Sequence, residues 1–148
     1  MAQSRKLPGQ LEADNLLGPH GEPVVRAASL AVRAGDCVRL HFEHAIDDRR
    51  EGIWLGTRGV LAVGDAHASQ FNVWADTAPP IVEITVVETT GQLMFYNIQD
   101  RGHGRQSQLF TMGMLAEPLN GGTRYRCQDG RSDPTWDSLV FTISVKGA

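Results

Sequence analysis

Four stretches of this sequence bring together side chains that can do chemistry. In Gly35–His44, strand alternation would put Arg39, His41 and Glu43 on one face, with an imidazole and a carboxylate two residues apart and pointing the same way. Such a pair could ligate a divalent metal or couple an acid to a base, and it could equally be an exposed ion pair. In Asp65–Asp76, parity groups Asp65, His67 and Ser69 on one face and Gln70, Asn72 and Trp74 on the other. A carboxylate beside an imidazole can orient it as a general base, but no Gly-x-Ser-x-Gly elbow supports Ser69 as a nucleophile. The opposite face, with amides beside an indole, has the elements that hold a sugar or another polar ligand. In Asn97–Gln108, glycines flank His103 and place Arg101, His103 and Arg105 on a loop. Backbone amides and guanidiniums there could hold a phosphate or carboxylate, although the Lys-Ser/Thr ending of a nucleotide-binding loop is absent. In Arg124–Phe141, Asp129, Asp133 and Asp137 surround a Gly and a Pro. Oxygen ligands on a flexible loop suit Ca²⁺, but their spacing is not that of an EF-hand.

Two of these stretches carry local resemblances. Gly35, His41, Glu43, His44 and Glu51 partly resemble the first metal-binding motif of cupins. Glu43 occupies the place of the second ligand histidine, and nothing downstream matches the second cupin motif. Residues 133–141, through Trp136, Asp137, Leu139, Val140 and Phe141, resemble an aspartate-rich segment of a β-rich domain of unknown function in bacterial surface proteins. That resemblance implies a calcium site, with Ser138 replacing the usual second acid.

The elements that must position these residues read as strands. Val38, Leu40 and Phe42 alternate with polar residues, as do Val82, Ile84 and Val86, and Leu139, Phe141, Ile143 and Val145. Further candidates are 24–32, 53–55, 59–63, 69–74, 93–98, 109–116 and 123–127. Arg33-Ala34-Gly35-Asp36, Thr89-Thr90-Gly91-Gln92 and Asn120-Gly121-Gly122 read as hairpin turns, each with a residue able to take positive φ. About ten short strands with frequent turns predict an antiparallel β-sandwich or jelly roll. Residues 23–148 form that domain in this reading. Residues 1–22, punctuated by Pro and Gly, read as an extended arm through which copies of the chain could associate. No repeat of solenoid or propeller length is present.

Composition narrows the partners. The 148 residues carry 14 Lys and Arg against 17 Asp and Glu, a formal charge of −3. That balance argues against a general nucleic-acid binder. Twelve of the cations are arginine, and five of these, at 101, 105, 124, 126 and 131, fall in the last third. Arginine grips carboxylate or phosphate in a forked geometry that lysine cannot reproduce. No segment approaches the roughly 18 apolar residues of a membrane helix. Arg5 and Lys6 are not followed by the apolar stretch of a secretory signal, so the expected location is cytoplasmic. Cys37 and Cys127 form no paired metal or redox motif. Trp54, Trp74 and Trp136 are either packing residues or a platform for a sugar.

The leading expectation is a soluble module that binds a small polar or anionic molecule through Asn72, Trp74, Arg101, His103 and Arg105. One alternative is a small enzyme using His67 with Asp65, or His41 with Glu43, around a divalent metal in one version. The other is an interaction domain stabilised by calcium at Asp129, Asp133 and Asp137.

Overall fold

Period-two patterning becomes strand wherever alternate side chains can reach a common interior. The computed structural model describes residues 10–106, 112–129 and 135–147. Among these residues ten strands run in order: β1 Gln10–Leu17, β2 Pro23–Ala31, β3 Cys37–Ala45, β4 Arg50–Val63, β5 Ala66–Trp74, β6 Ile81–Asp100, β7 Arg105–Gln106, β8 Met112–Leu119, β9 Gly122–Asp129 and β10 Leu139–Lys146. Every pairing is antiparallel, so the all-β class expected from the sequence holds. No helix among the described residues is long and apolar enough to cross a membrane. Within the predicted arm, residues 10–17 form β1 on the edge of β2.

The long strand β6 organises the sheet. One of its edges pairs with β4 from Ala62↔Thr85 to Arg50↔Asp100. The other edge is shared, with Ile81–Thr85 pairing β3 and Gln92–Phe95 pairing β2. From β3 the neighbours run through β10, β9 and β8 back to β2, so these strands and β6 close a ring. Phe95, Tyr125 and Phe141, from three strands of that ring, meet inside it. Phe95 meets Tyr125 edge to face at 5.3 Å, and Tyr125 stacks on Phe141 at 5.2 Å. Leu40, Ile53, Leu55, Ile84, Leu93 and Ile143 fill the interior around them.

Two expected hairpins differ from what forms. Thr89-Thr90-Gly91-Gln92 does not separate two strands, because 81–100 is one strand that bends there. Burial shifts from even positions (Val82, Ile84, Val86) to odd ones (Leu93, Phe95), and Gly91 has φ 120°. Arg33–Asp36 does turn, but β2 and β3 then pair with β6 and, among the described residues, not with each other. The connection docks on the bend: Val32 N donates to Gly91 O at 3.0 Å, Gly35 N to Val86 O at 2.7 Å, and Val86 N to Asp36 O at 2.9 Å. Tertiary hydrogen bonds thus satisfy a backbone that local turn chemistry would have closed on itself. Asn120-Gly121 does form a tight hairpin, with Leu119 opposite Gly122.

β4 bends at the same level as β6. Its register shifts on either side of Gly59, which has φ 150°. A Cβ at Gly59 would lie 2.1 Å from the backbone oxygen of Glu88, so only glycine fits this close approach. A proton chain stitches the corner. Gly91 N donates to Thr89 Oγ1 at 3.1 Å, and Thr57 Oγ1 donates to Gln92 O at 2.7 Å. Having one proton each, the two hydroxyls meet at 2.7 Å with Thr89 as donor. Gly59→Ala is expected to destabilise the fold by about 1–3 kcal/mol, the usual range for forcing such backbone strain. Urea denaturation would reveal this as a lowered midpoint with an unchanged slope.

Candidate functional site

The outward face of β5–β4–β6 holds the best-formed polar and aromatic cluster. Register fixes its rows: Asn72, Trp54 and Tyr96 lie side by side, Gln70, Gly56 and Met94 form the next row, and Trp74, Gly52 and Ile98 the row on the other side. Trp54 stacks on Tyr96 with centroids 4.8 Å apart and planes 17° apart, and its Nε1 donates to Gln70 Oε1 at 2.7 Å. A Cβ at Gly56 would meet the Trp54 ring at 2.8 Å, which explains glycine there. Neighbours on three sides therefore fix the indole, while Gln70 Nε2 and the whole Asn72 amide have no protein partner among the described residues.

Arg105 completes this cluster from the rim. After β6, the Asp100 carboxylate accepts from Gly102 N at 2.7 Å and Gly104 N at 3.1 Å, holding the loop turned back on the strand. Arg105 then reaches over Tyr96, its guanidinium 5.9 Å from the ring centroid and donating to the phenol oxygen at 2.9 Å. Two hollows result, both lined by Trp54 and Gln70. One, of about 400 Å³, adds Asn72, Tyr96 and Arg105. The other, of about 800 Å³, extends over the bent corner with Thr57, Arg58, Ser69 and Gln92.

Of the residues expected to bind a ligand, Asn72 and Arg105 thus share one hollow. Trp74 sits one row away beneath Arg50, whose guanidinium is 4.5 Å from the indole centroid. That arginine forms a forked pair with Asp76 at 2.9 and 3.1 Å, which raises its pKa. Arg101 turns away to Gln99 at 3.3 Å, and His103 is exposed in the loop. The sequence points to Gln70 as an amide beside an indole and to Trp54 as a platform residue, but to neither Tyr96 nor Arg58 as a ligand contact. The available signal was Gly52-x-Trp54-x-Gly56, an indole between glycines on one strand face.

The other candidates lie apart from this face. His41 is exposed, and Glu43 is held by Arg124 in a forked pair at 2.8 and 3.1 Å and by Thr142 Oγ1 at 2.7 Å. His67 is exposed, with Nδ1 3.4 Å from the backbone oxygen of Asp65 instead of its carboxylate. Asp133 lies outside the described residues, as does the side chain of Asp129, while the Asp137 carboxylate accepts from Thr135 Oγ1. Among the described residues no group of three His, Cys, Asp or Glu side chains is placed to hold a metal ion. Trp136 is buried against Val24 and Leu115, away from any platform. Both cysteines are free, and burial pushes the Cys127 thiol well above its ordinary pKa, with the Glu51 charge adding to the rise.

One end of the interior is polar. Glu51 and Gln99 oppose each other on β4 and β6, next to Asn97, whose Nδ2 donates to Gln128 O at 3.2 Å. Glu51, Asn97, Gln99 and Gln128 are all essentially inaccessible. Glu51 also borders a cleft of about 690 Å³ that opens between Phe42–Arg50 and the 100–102 loop. Comparison with protein-family models, curated proteins and solved structures finds no match, so the chain's own geometry carries the functional reading.

The Glu43 pair predicts a pH dependence. The hydrogen bond from Arg124 holds the Glu43 pKa below the usual glutamate value, against a smaller opposing effect of desolvation. A depressed folded pKa stabilises the protein above the unfolded-state value, and that contribution fades as pH falls through the folded-state value. Arg124→Gln should therefore melt below the wild type near neutrality, with the difference shrinking as the pH falls to and below the ordinary glutamate value. Thermal melts across that range check it, and a difference independent of pH would refute the assignment.

Proposed function

We propose that the protein is a non-catalytic binding module that takes a small polar or anionic ligand on the outward face of β5–β4–β6. Such a ligand needs a ring face to cover its apolar side, amides that both donate and accept, and a forked cation for an acidic group. Trp54, the amides of Gln70 and Asn72, and Arg105 supply these. All four project from paired strands, Arg105 from the short β7 on the edge of β6, so little ordering cost falls on binding. The observation that carries the reading is Trp54, which lines both hollows and is already fixed by Tyr96 and Gln70.

A thermal-shift panel of phosphates, carboxylates and sugars tests this. A bound ligand at about 100 times its Kd should stabilise the fold by about 2.7 kcal/mol. Trp54→Ala is expected to weaken binding roughly tenfold, in line with an aromatic contact of about 0.5–1.5 kcal/mol beyond its buried area. Asn72→Ala should weaken it less. A wild type that no member of the panel stabilises would remove the proposal.

A further inference from the structure

Charge is sorted unevenly over this molecule. The two hollows beside Trp54 are lined by two arginines, Arg58 and Arg105, and by no acidic residue. The chain as a whole carries 17 acids against 14 cations, and the neighbouring cleft is bordered by six acids against three arginines, Arg49, Arg50 and Arg101. Neither arginine of the aromatic face meets a carboxylate among the described residues: Arg105 bonds the Tyr96 phenol and Arg58 has no protein partner. Elsewhere Arg39, Arg50 and Arg124 are paired with acids. Complementarity on this face therefore favours an anion.

The two cations are too far apart to share one small ion. The Arg105 guanidinium sits at the level of Tyr96, beside Trp54 in the register, and Arg58 lies four residues further along β4. At the rise of an extended strand that is about 13 Å, somewhat less through the bend. Between them lie Trp54, Gln70, Ser69 and Gln92, which offer a ring and neutral donors and acceptors.

We infer that the ligand is an acidic oligosaccharide lying along β4, one pyranose ring against Trp54, with one carboxylate or sulfate at Arg105 and another at Arg58. Sugar hydroxyls donate and accept as the amides do, and a few linked pyranose rings cover the span. A nucleic acid strand fits less well. Single strands are held by successive stacking platforms along a basic groove, whereas this face offers one indole, stacked on Tyr96, between two cations. The inference rests on the binding reading above and names its substrate class.

Calorimetric titration of the full chain with four probes tests it: an oligogalacturonate of four residues, its monomer, a neutral cello-oligosaccharide of equal length and a single-stranded oligothymidylate. The acidic oligomer should bind about tenfold more tightly than the neutral one at low salt, with the margin narrowing as salt rises. Arg58→Gln and Arg105→Gln should each reduce that margin and together abolish it, leaving the melting temperature of the free protein nearly unchanged. Equal binding of acidic and neutral oligomers overturns the inference but leaves the binding reading intact. A monomer as tight as the oligomer, or a tighter oligothymidylate, also overturns it. If no saccharide binds while inorganic phosphate still perturbs amide resonances around Trp54, the inference alone falls. Silence from every probe removes both.

Discussion

The fold depends on one shared edge. β6 gives one side to β4, and its other side first to β3 and then to β2. A strand edge can serve two successive partners only if the chain between them is accommodated where they meet. Here residues 32–36 provide that join, bonded to the bend through Gly91 and Val86. Because β3 and β2 leave the same edge and meet again through β10, β9 and β8, the sheet encloses an interior, and Phe95, Tyr125 and Phe141 can touch across it.

The same bend shapes the outside. β4 must follow β6, and it does so by bulging at Gly59, which lifts Thr57 and Arg58 into the hollow beside Trp54. The structural corner and the candidate ligand face are thus one feature seen from two sides. Polar groups at the corner are satisfied through Thr57 and Thr89, while the amides of Gln70 and Asn72 point to solvent with bonding capacity left over. The first kind of group holds the backbone, and the second is free to meet a ligand.

Period-two alternation located β3, β10 and the first part of β6, because each buries one face against a single interior. It could not show that 81–100 is continuous. Thr-Thr-Gly-Gln reads locally as a turn, and the hydrogen bonds that keep it extended come from residues 32 and 57. Parity placed His41 and Glu43 together, but the partner that holds Glu43 lies 81 residues away. At the ligand face, Asn72 and Arg105 were recognisable as residue types. Their meeting around Trp54 and Tyr96 was not, since cross-strand neighbours are set by register between β4, β5 and β6 and leave no local trace. That Glu51 and Gln99 oppose each other in the interior stayed hidden for the same reason.

The aromatic face and the closed ring also differ in how they can be assembled. β4, β5 and β6 are consecutive, and β4 and β5 are joined by the two-residue turn Gly64-Asp65. The contacts around Trp54 therefore all fall within residues 52–105, closer in sequence than the pairing that closes the ring. Closure needs β10 to find β3, with Ile143 opposite Leu40. Loop-closure entropy makes such distant pairings the slow steps of folding. The surface that would meet a ligand thus carries a smaller loop-closure cost than the ring that encloses the interior.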